Sequence, residues 1–461
     1  MYRKLFILGN ITLLVLFMAA VVEDLAGPYL PHGWAAYQIA YRKMQAAAES
    51  AEEAKKAIMG RGIQIQQIMT PDLGQIDRCT SCHAGMDSIA TPSMQNSFTD
   101  NPYKSHPGNF LKDHPPEKFG CVICHGGQGI ATTFLGAAHT PKNEAQKLEW
   151  EKKYGWKPTE HWERPMLAVP YIQASCAKCH GNFESLPGTE VVSQGKKLMA
   201  THGCLGCHQW KGWGGPISVD LAEETATKPV GRIDFSHVAE AIALSEGKPA
   251  SEAHTLQPDQ ATLLNWIRLH FLVDPWVLVP GDPEAKFNTE PIAPSGMQNF
   301  TLPSAAFPDQ GPELTPDDAT ALTTYILSAR SEKIPHEYYI PGPKEPTFAD
   351  MHFNSRKEAG KWVFDHYGCA ACHGLNAKGG RRNFNYQGGG MEPVLVKTIG
   401  TYTRDELRKK LQFGVPIVAK DNPKGATPPL FMPPWKDRMS SDEMDALMDY
   451  LFSIAEKQEE F

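Results

Sequence analysis

Every cysteine in the chain belongs to one five-residue pattern. The ten cysteines form five copies of Cys-x-x-Cys-His: Cys79-Thr-Ser-Cys82-His83 (motif 1), Cys121-Val-Ile-Cys124-His125 (motif 2), Cys176-Ala-Lys-Cys179-His180 (motif 3), Cys204-Leu-Gly-Cys207-His208 (motif 4) and Cys369-Ala-Ala-Cys372-His373 (motif 5). This is the spacing of c-type haem attachment. Two thiols three residues apart on one helical turn reach both vinyl groups of a haem and close thioether bonds, while the next histidine offers its imidazole to the iron as proximal ligand. A structural zinc site, a dithiol redox pair and ordinary disulfides also use cysteine pairs. None of these accounts for a histidine at the same offset in all five copies, and zinc would leave one pair over. The pattern implies five covalently bound haem c groups and no thiol left for a disulfide.

An iron that only carries electrons is usually six-coordinate, so each haem needs a distal ligand, and methionine gives a higher potential than a second histidine. For motif 5 the sequence offers Met432 in Phe431-Met-Pro-Pro-Trp435, an apolar loop stiffened by proline. For motif 4 the equivalent place holds Met297 in Pro294-Ser-Gly-Met-Gln-Asn-Phe300, ranked ahead of His270, His254 and His237. Between and around motifs 1–3 lie four spare histidines, His106, His114, His139 and His161. Three of them are expected to be distal ligands, without assignment to particular motifs. Low-potential bis-histidine haems would then lie near the N-terminus and higher-potential His/Met haems toward the C-terminus. His202 and His366, just ahead of motifs 4 and 5, are expected to be structural.

Attachment of haem c implies export, and the N-terminus carries a suitable signal. Arg3 and Lys4 precede the apolar run Leu5–Val22, which Glu23 and Asp24 follow. Eighteen apolar residues reach the lower limit of a spanning helix, and the charge asymmetry keeps the N-terminus in the cytoplasm. No A-x-A site precedes Glu23, so the segment is read as a retained anchor with the remainder periplasmic.

The elements that position the motifs follow from local signals. The 461 residues imply two to four domains. The chain is expected to be mainly α: residues 1–24 a membrane anchor and 25–62 a helical stalk, rich in Ala, Glu and Lys and solvated. Ile63–Ile68 alternates as a short strand would. Residues 63–190 read as a trihaem module with little regular structure. Residues 191–333 and 354–461 read as two class I cytochrome c-like helical domains, joined by a Pro-rich linker at 334–353. Thr315-Pro-Asp-Asp318 caps a helix with Ala319, Leu322, Tyr325 and Ile326 on one face, and Thr403…Glu406 and Ser440…Glu443 are capping boxes. The first cysteines of successive motifs are 42, 55, 28 and 165 residues apart. Four haems therefore crowd into 79–208 and are expected to lie close enough to exchange electrons.

Composition narrows the function. A hydrophobic share of 41% with 39 Gly and 37 Pro excludes a coiled coil or a polytopic membrane protein. The formal net charge of −7 argues against nucleic acid as a partner. It suits a soluble acceptor with a basic docking face.

Three segments carry a more specific likeness: Gly74-Gln-Ile-Asp-Arg78 running into motif 1, His114-Pro-Pro-Glu-Lys-Phe-Gly running into motif 2 and on to Gly129, and Pro165-Met-Leu…Tyr171-Ile-Gln-Ala-Ser running into motif 3. With them the chain resembles multihaem cytochrome c subunits of bacterial menaquinol-oxidising cytochrome bc-type complexes, and its last third resembles class I cytochromes c. The resemblance implies a membrane cytochrome b-type partner, with or without a Rieske or iron–sulfur subunit, a soluble periplasmic electron acceptor, and electron transfer without independent catalysis. The alternatives are a multihaem nitrite-type reductase, a haem peroxidase and a polymerising cytochrome wire. A nitrite reductase typically places Lys where one motif has its histidine, whereas all five motifs here end in His.

Overall fold

The structure, a computed structural model, describes residues 2–86, 98–158, 165–222, 233–282, 290–329 and 334–456. About half the chain is helical and there is little sheet. It divides into two compact units, Met1–Ile172 and Gln173–Phe461.

In the first unit, helix α1 (Tyr2–Ala26) buries no side chain and reaches a mean hydropathy of 2.6, long and apolar enough to cross a membrane, a property shared by signal sequences. Two polar residues turn back onto the helix: Asn10 Nδ2 donates to Phe6 O (2.8 Å) and Thr12 Oγ1 to Leu8 O (2.9 Å), which satisfies one donor of each without water. The expected solvated stalk is corrected. Helix α2 (Trp34–Ala48) and helix α3 (Glu52–Met59) are separated by an extended Glu49, whose carboxylate accepts the N–H groups of Ser50 and Ala51. Helix α2 buries Ala35, Gln38 and Tyr41, with Tyr41 stacked on Tyr103 at 6.2 Å, so one of its faces is core rather than solvated.

The alternating stretch from Ile63 is also corrected, because side chains stand where a partner strand would be. Gln38 exchanges hydrogen bonds with the backbone of Gln64, and Ser81 Oγ accepts from Gln66 N and donates to Gln66 O. The true strand β1 (Ile68–Thr70) begins where the expected one ends, and it pairs antiparallel with β2 (Gln75–Asp77). The connection turns at Gly74 with φ +63°, a left-handed conformation that glycine adopts without strain. Strand β2 delivers Asp77 to the start of motif 1. Later in the unit, Asn143 caps helix α4 (Glu144–Tyr154) by accepting from Gln146 N, and Trp150 and Tyr154 pack on Phe134.

The second unit contains one helix crossing built twice. Helix α5 (Glu190–Thr201) leads toward motif 4, followed by α6 (Val238–Ser245), α7 (Leu263–Leu272) and α8 (Pro316–Leu327). Helix α9 (Arg356–His366) leads toward motif 5, followed by α10 (Arg404–Phe413) and α11 (Ser441–Ser453). The capping boxes at Thr315/Asp318, Thr403/Glu406 and Ser440/Glu443 are formed as the sequence predicts. Helix α10 stops at Gly414, and Ala319, Leu322, Tyr325 and Ile326 are buried.

Helix α5 crosses α8 at Gly195, and α9 crosses α11 at Gly360. A Cβ on Gly195 would stand 2.1 Å from Ala321 O and 2.7 Å from Tyr325 Cβ; on Gly360 it would stand 1.9 Å from Ala446 O and 2.5 Å from Tyr450 Cβ. Each glycine lies nine residues before the first cysteine of its motif. Around the second crossing Val363, Phe364, Leu407, Leu411, Trp435, Leu447 and Leu451 form one core cluster. Gly360→Ala is therefore expected to destabilise residues 354–456 by about 3 kcal/mol, the upper end of overpacking, read as a lowered denaturation midpoint. Gly400→Ala, whose Cβ would meet nothing closer than 4.0 Å, should leave that midpoint within about 0.5 kcal/mol.

Candidate functional site

All five motifs adopt the same turn. The histidine N–H donates to the carbonyl of the first cysteine: His83 to Cys79 (2.9 Å), and His125 to Cys121, His180 to Cys176, His208 to Cys204 and His373 to Cys369 (3.0 Å each). This i→i+4 closure gathers two thiols and an imidazole on one turn, as covalent haem attachment requires. None of the ten cysteines forms a disulfide.

Motifs 1 and 2 share a buried carboxylate. Asp77, 1% exposed, accepts Cys79 N–H at Oδ1 (2.9 Å), and both Cys121 N–H (2.6 Å) and Val122 N–H (2.9 Å) at Oδ2. One side chain thus satisfies the free N–H groups that begin both turns. It also brings the motifs together, with Cys79 Sγ, Cys121 Sγ and a carboxylate oxygen within 4.8 Å of one another. Sequence reasoning missed Asp77. Its only local signal is its place two residues ahead of Cys79.

Motif 3 lies in the second unit, although the spacing groups it with motifs 1 and 2. Its turn pairs with the Pro-rich segment: Ile340 N donates to Cys179 O and Gly181 N to Ile340 O, both at 2.7 Å. Residues 334–342 are thus held against motif 3.

Motifs 4 and 5, far apart in sequence, stand back to back. A Cβ on Gly206 would lie 2.1 Å from Gly368 O, and one on Gly368 would lie 2.3 Å from Gly206 N. The thiols of Cys207 and Cys372 are neighbours across this contact. Arg381, 3% exposed, reaches Glu313 with two bonds (2.8 and 2.6 Å) and donates from Nε to Ala370 O in motif 5. Each proximal ring is oriented through one nitrogen, with His208 Nδ1 on Val219 O (3.1 Å) and His373 Nδ1 on Pro393 O (3.2 Å). This arrangement leaves Nε2 for a metal. Burial pushes both imidazoles below the usual range, toward the neutral form that ligates.

Residues 357–455 match the family model for cytochrome c. This part of the chain is a cytochrome c domain. No curated protein and no solved structure matches the chain. A cytochrome c domain carries covalently bound haem c and transfers electrons. The donors present fit that group: two thiols and an oriented, neutral imidazole on one turn, beside a buried apolar cluster.

The remaining candidates are placed as follows. Met432 of the cytochrome c domain packs partly buried against the core cluster, and its carbonyl accepts Val415 N–H (2.8 Å), which pins the loop between α10 and α11. Met297 is half-buried, with its N–H donated to Ser295 Oγ (3.1 Å). His270 on α7 is anchored through Nδ1 to Trp266 O (2.7 Å), and burial, opposed by that bond and helped by the charge of His208, holds its pKa down to about 4.

In the first unit, His106 and His139 each lie beside a proximal ring, the first edge-on and the second tilted. His139 lies opposite His83 with centroids 6.2 Å apart, and His106 lies opposite His125 at 6.1 Å. His114 packs on Phe119 at 5.3 Å, with Nδ1 on Phe110 O, and His161 lies outside the described residues. Burial lowers His106, His125 and His139, and it brings His83 down to about 4 with help from the charges of His139 and His125. His202 bonds Leu198 O and lies 3.9 Å from Glu313, and His366 stacks on Trp362 at 4.3 Å. Both hold structural contacts.

Proposed function

We propose that the chain is a membrane-anchored, periplasmic pentahaem cytochrome that carries electrons from a quinol-oxidising cytochrome b-type complex to a soluble periplasmic acceptor. The observation that carries this reading is the identical closure of all five motifs, only the last of which lies in the matched cytochrome c domain. Whatever the last turn attaches, the other four are shaped to attach as well. Haem, when bound, supplies a reversible one-electron iron couple.

The chain's own residues do the rest. Cys79, Cys82, Cys121, Cys124, Cys176, Cys179, Cys204, Cys207, Cys369 and Cys372 hold the groups covalently. His83, His125, His180, His208 and His373 ligate from one side, with the distal set drawn from the histidines and methionines above. Asp77 joins motif 1 to motif 2, and the close approach of Gly206 and Gly368 joins motif 4 to motif 5, so the long gap in sequence before motif 5 is no gap in space. The crossing at Gly195 supports reading residues 191–333 as a second cytochrome c-like domain. Helix α1 supports the anchor, and the net charge of −7 supports an acceptor with a basic docking face.

The test is intact-mass spectrometry with a pyridine haemochrome assay on the chain purified from membranes, followed by reduction with a menaquinol analogue. Five haems per chain, and reduction only when a cytochrome b-type subunit co-purifies, are expected. Fewer than five haems, or nitrite or peroxide turnover at a high-spin haem, would defeat the reading.

A further inference from the structure

The facing rings of the first unit carry an assignment that the order of residues along the chain does not suggest. A metal–imidazole bond is about 2 Å and a ring centroid lies about 1 Å inside its nitrogen, so two imidazoles on opposite sides of one metal have centroids about 6 Å apart. The His83–His139 and His106–His125 separations of 6.2 and 6.1 Å meet that condition. Phe134 and His139, stacked face to face, stand closer at 4.4 Å.

Each distal ring is also fixed so that one nitrogen remains for the metal. His139 Nδ1 bonds Phe134 O (2.9 Å), its face stacks on Phe134 at 8° to parallel, and its carbonyl accepts Trp156 Nε1–H (2.9 Å). His106 Nδ1 bonds Pro107 O (2.8 Å), and Phe110 meets its ring edge-on. Such outer bonds set which nitrogen is offered.

We infer that His139 is the sixth ligand of the haem at motif 1 and His106 that of the haem at motif 2. The ligands thus cross over: the histidine after motif 2 serves motif 1, and the histidine before motif 2 serves motif 2. This assignment rests on the haem reading above and narrows four candidate histidines to two with stated partners. It makes both haems of the first unit bis-histidine, closed to exogenous ligands, and it gives His114 no iron.

The experiment uses the full haem-loaded chain, with haem count by mass as the first readout. A count lacking these haems refutes the haem reading itself, whereas unchanged spectra at full count refute only the assignment. In His139→Ala and His106→Ala, one haem in five is expected to become high-spin by electron paramagnetic resonance and to return to low-spin with added imidazole. His114→Ala should change nothing. The conservative variants His139→Met and His106→Met, which keep a ligand if the alanine variants fold poorly, should each add one methionine–iron charge-transfer band to those of the His/Met haems and raise one midpoint potential.

Pairing is read by removing attachment. Cys79→Ala/Cys82→Ala should abolish the His139→Met band and keep the His106→Met band, and Cys121→Ala/Cys124→Ala should do the reverse. If these fold poorly, the single variant Cys82→Ala, which keeps one thioether, should shift the His139→Met band alone. The opposite pattern, or an unchanged all-low-spin spectrum in the alanine variants, overturns the assignment.

Discussion

Asp77→Ala is expected to destabilise the first unit by about 4 kcal/mol and to lower attachment of two of the five haems together. The carboxylate accepts three N–H groups, those of Cys79, Cys121 and Val122, at a site where the residue itself is 1% exposed. Each buried donor left without a partner costs about 1–3 kcal/mol, with the higher figures for bonds to a charged acceptor. Three such donors sum to about 3–9 kcal/mol, and entry of water returns part of the cost, hence a figure near the lower end. The loss should be selective. Urea unfolding followed at the Soret band should show the amplitude of two haems moving to lower denaturant while that of the other three stays in place. Asp77→Asn keeps one acceptor oxygen and turns a donor toward the other motif, so it should fall between wild type and alanine. Equal weakening of all five haems would refute the selective role.

Asp77 also marks where sequence reading stops. The five motifs and the three capping boxes were legible because the residues that make each one are contiguous, and the turn or cap closes within four residues. Nothing local says that Asp77 serves a cysteine 44 residues on, that Gly206 and Gly368 meet, or that motif 3 leans on Ile340. Such pairings are set by the folded path of the chain. Nor does the order of residues pair the distal candidates with motifs, since His106 lies between motifs 1 and 2 and His139 between motifs 2 and 3. The strand expected over Ile63–Ile68 failed differently. Its alternation is real, but Gln38 and Ser81 satisfy its backbone with side chains, and polar residues far from a segment leave no mark on its periodicity. Helix α2 looked solvated because Ala and Gln are weak burial signals, yet Ala35 and Gln38 are interior.

Glu313→Ala is expected to cost the second unit about 3–5 kcal/mol, the range for breaking a buried ion pair by removing one partner. The side chains of Arg381 and Glu313 are 4% and 2% exposed, and the pair is bidentate. Without the carboxylate, a guanidinium would remain buried against Phe300 and Ala370 O with its charge uncompensated. Thermal or urea denaturation checks this, and a loss below about 1 kcal/mol would show that water reaches the site. The pair itself need not stabilise the fold. Replacing both members with apolar residues of similar volume, Arg381→Met with Glu313→Leu, removes the desolvation penalty along with the attraction and is expected to be nearly neutral. That double variant separates stability from redox tuning, because the charge of Arg381 bears on both Cys204 and Cys207, the attachment thiols of motif 4. A buried cation favours the reduced, less positive iron, and its carboxylate partner opposes that effect from farther off. Loss of both should therefore lower the midpoint potential at motif 4 in a protein of unchanged stability. A potential that does not move would leave the pair only a positional role, that of holding the 313 segment against motif 5.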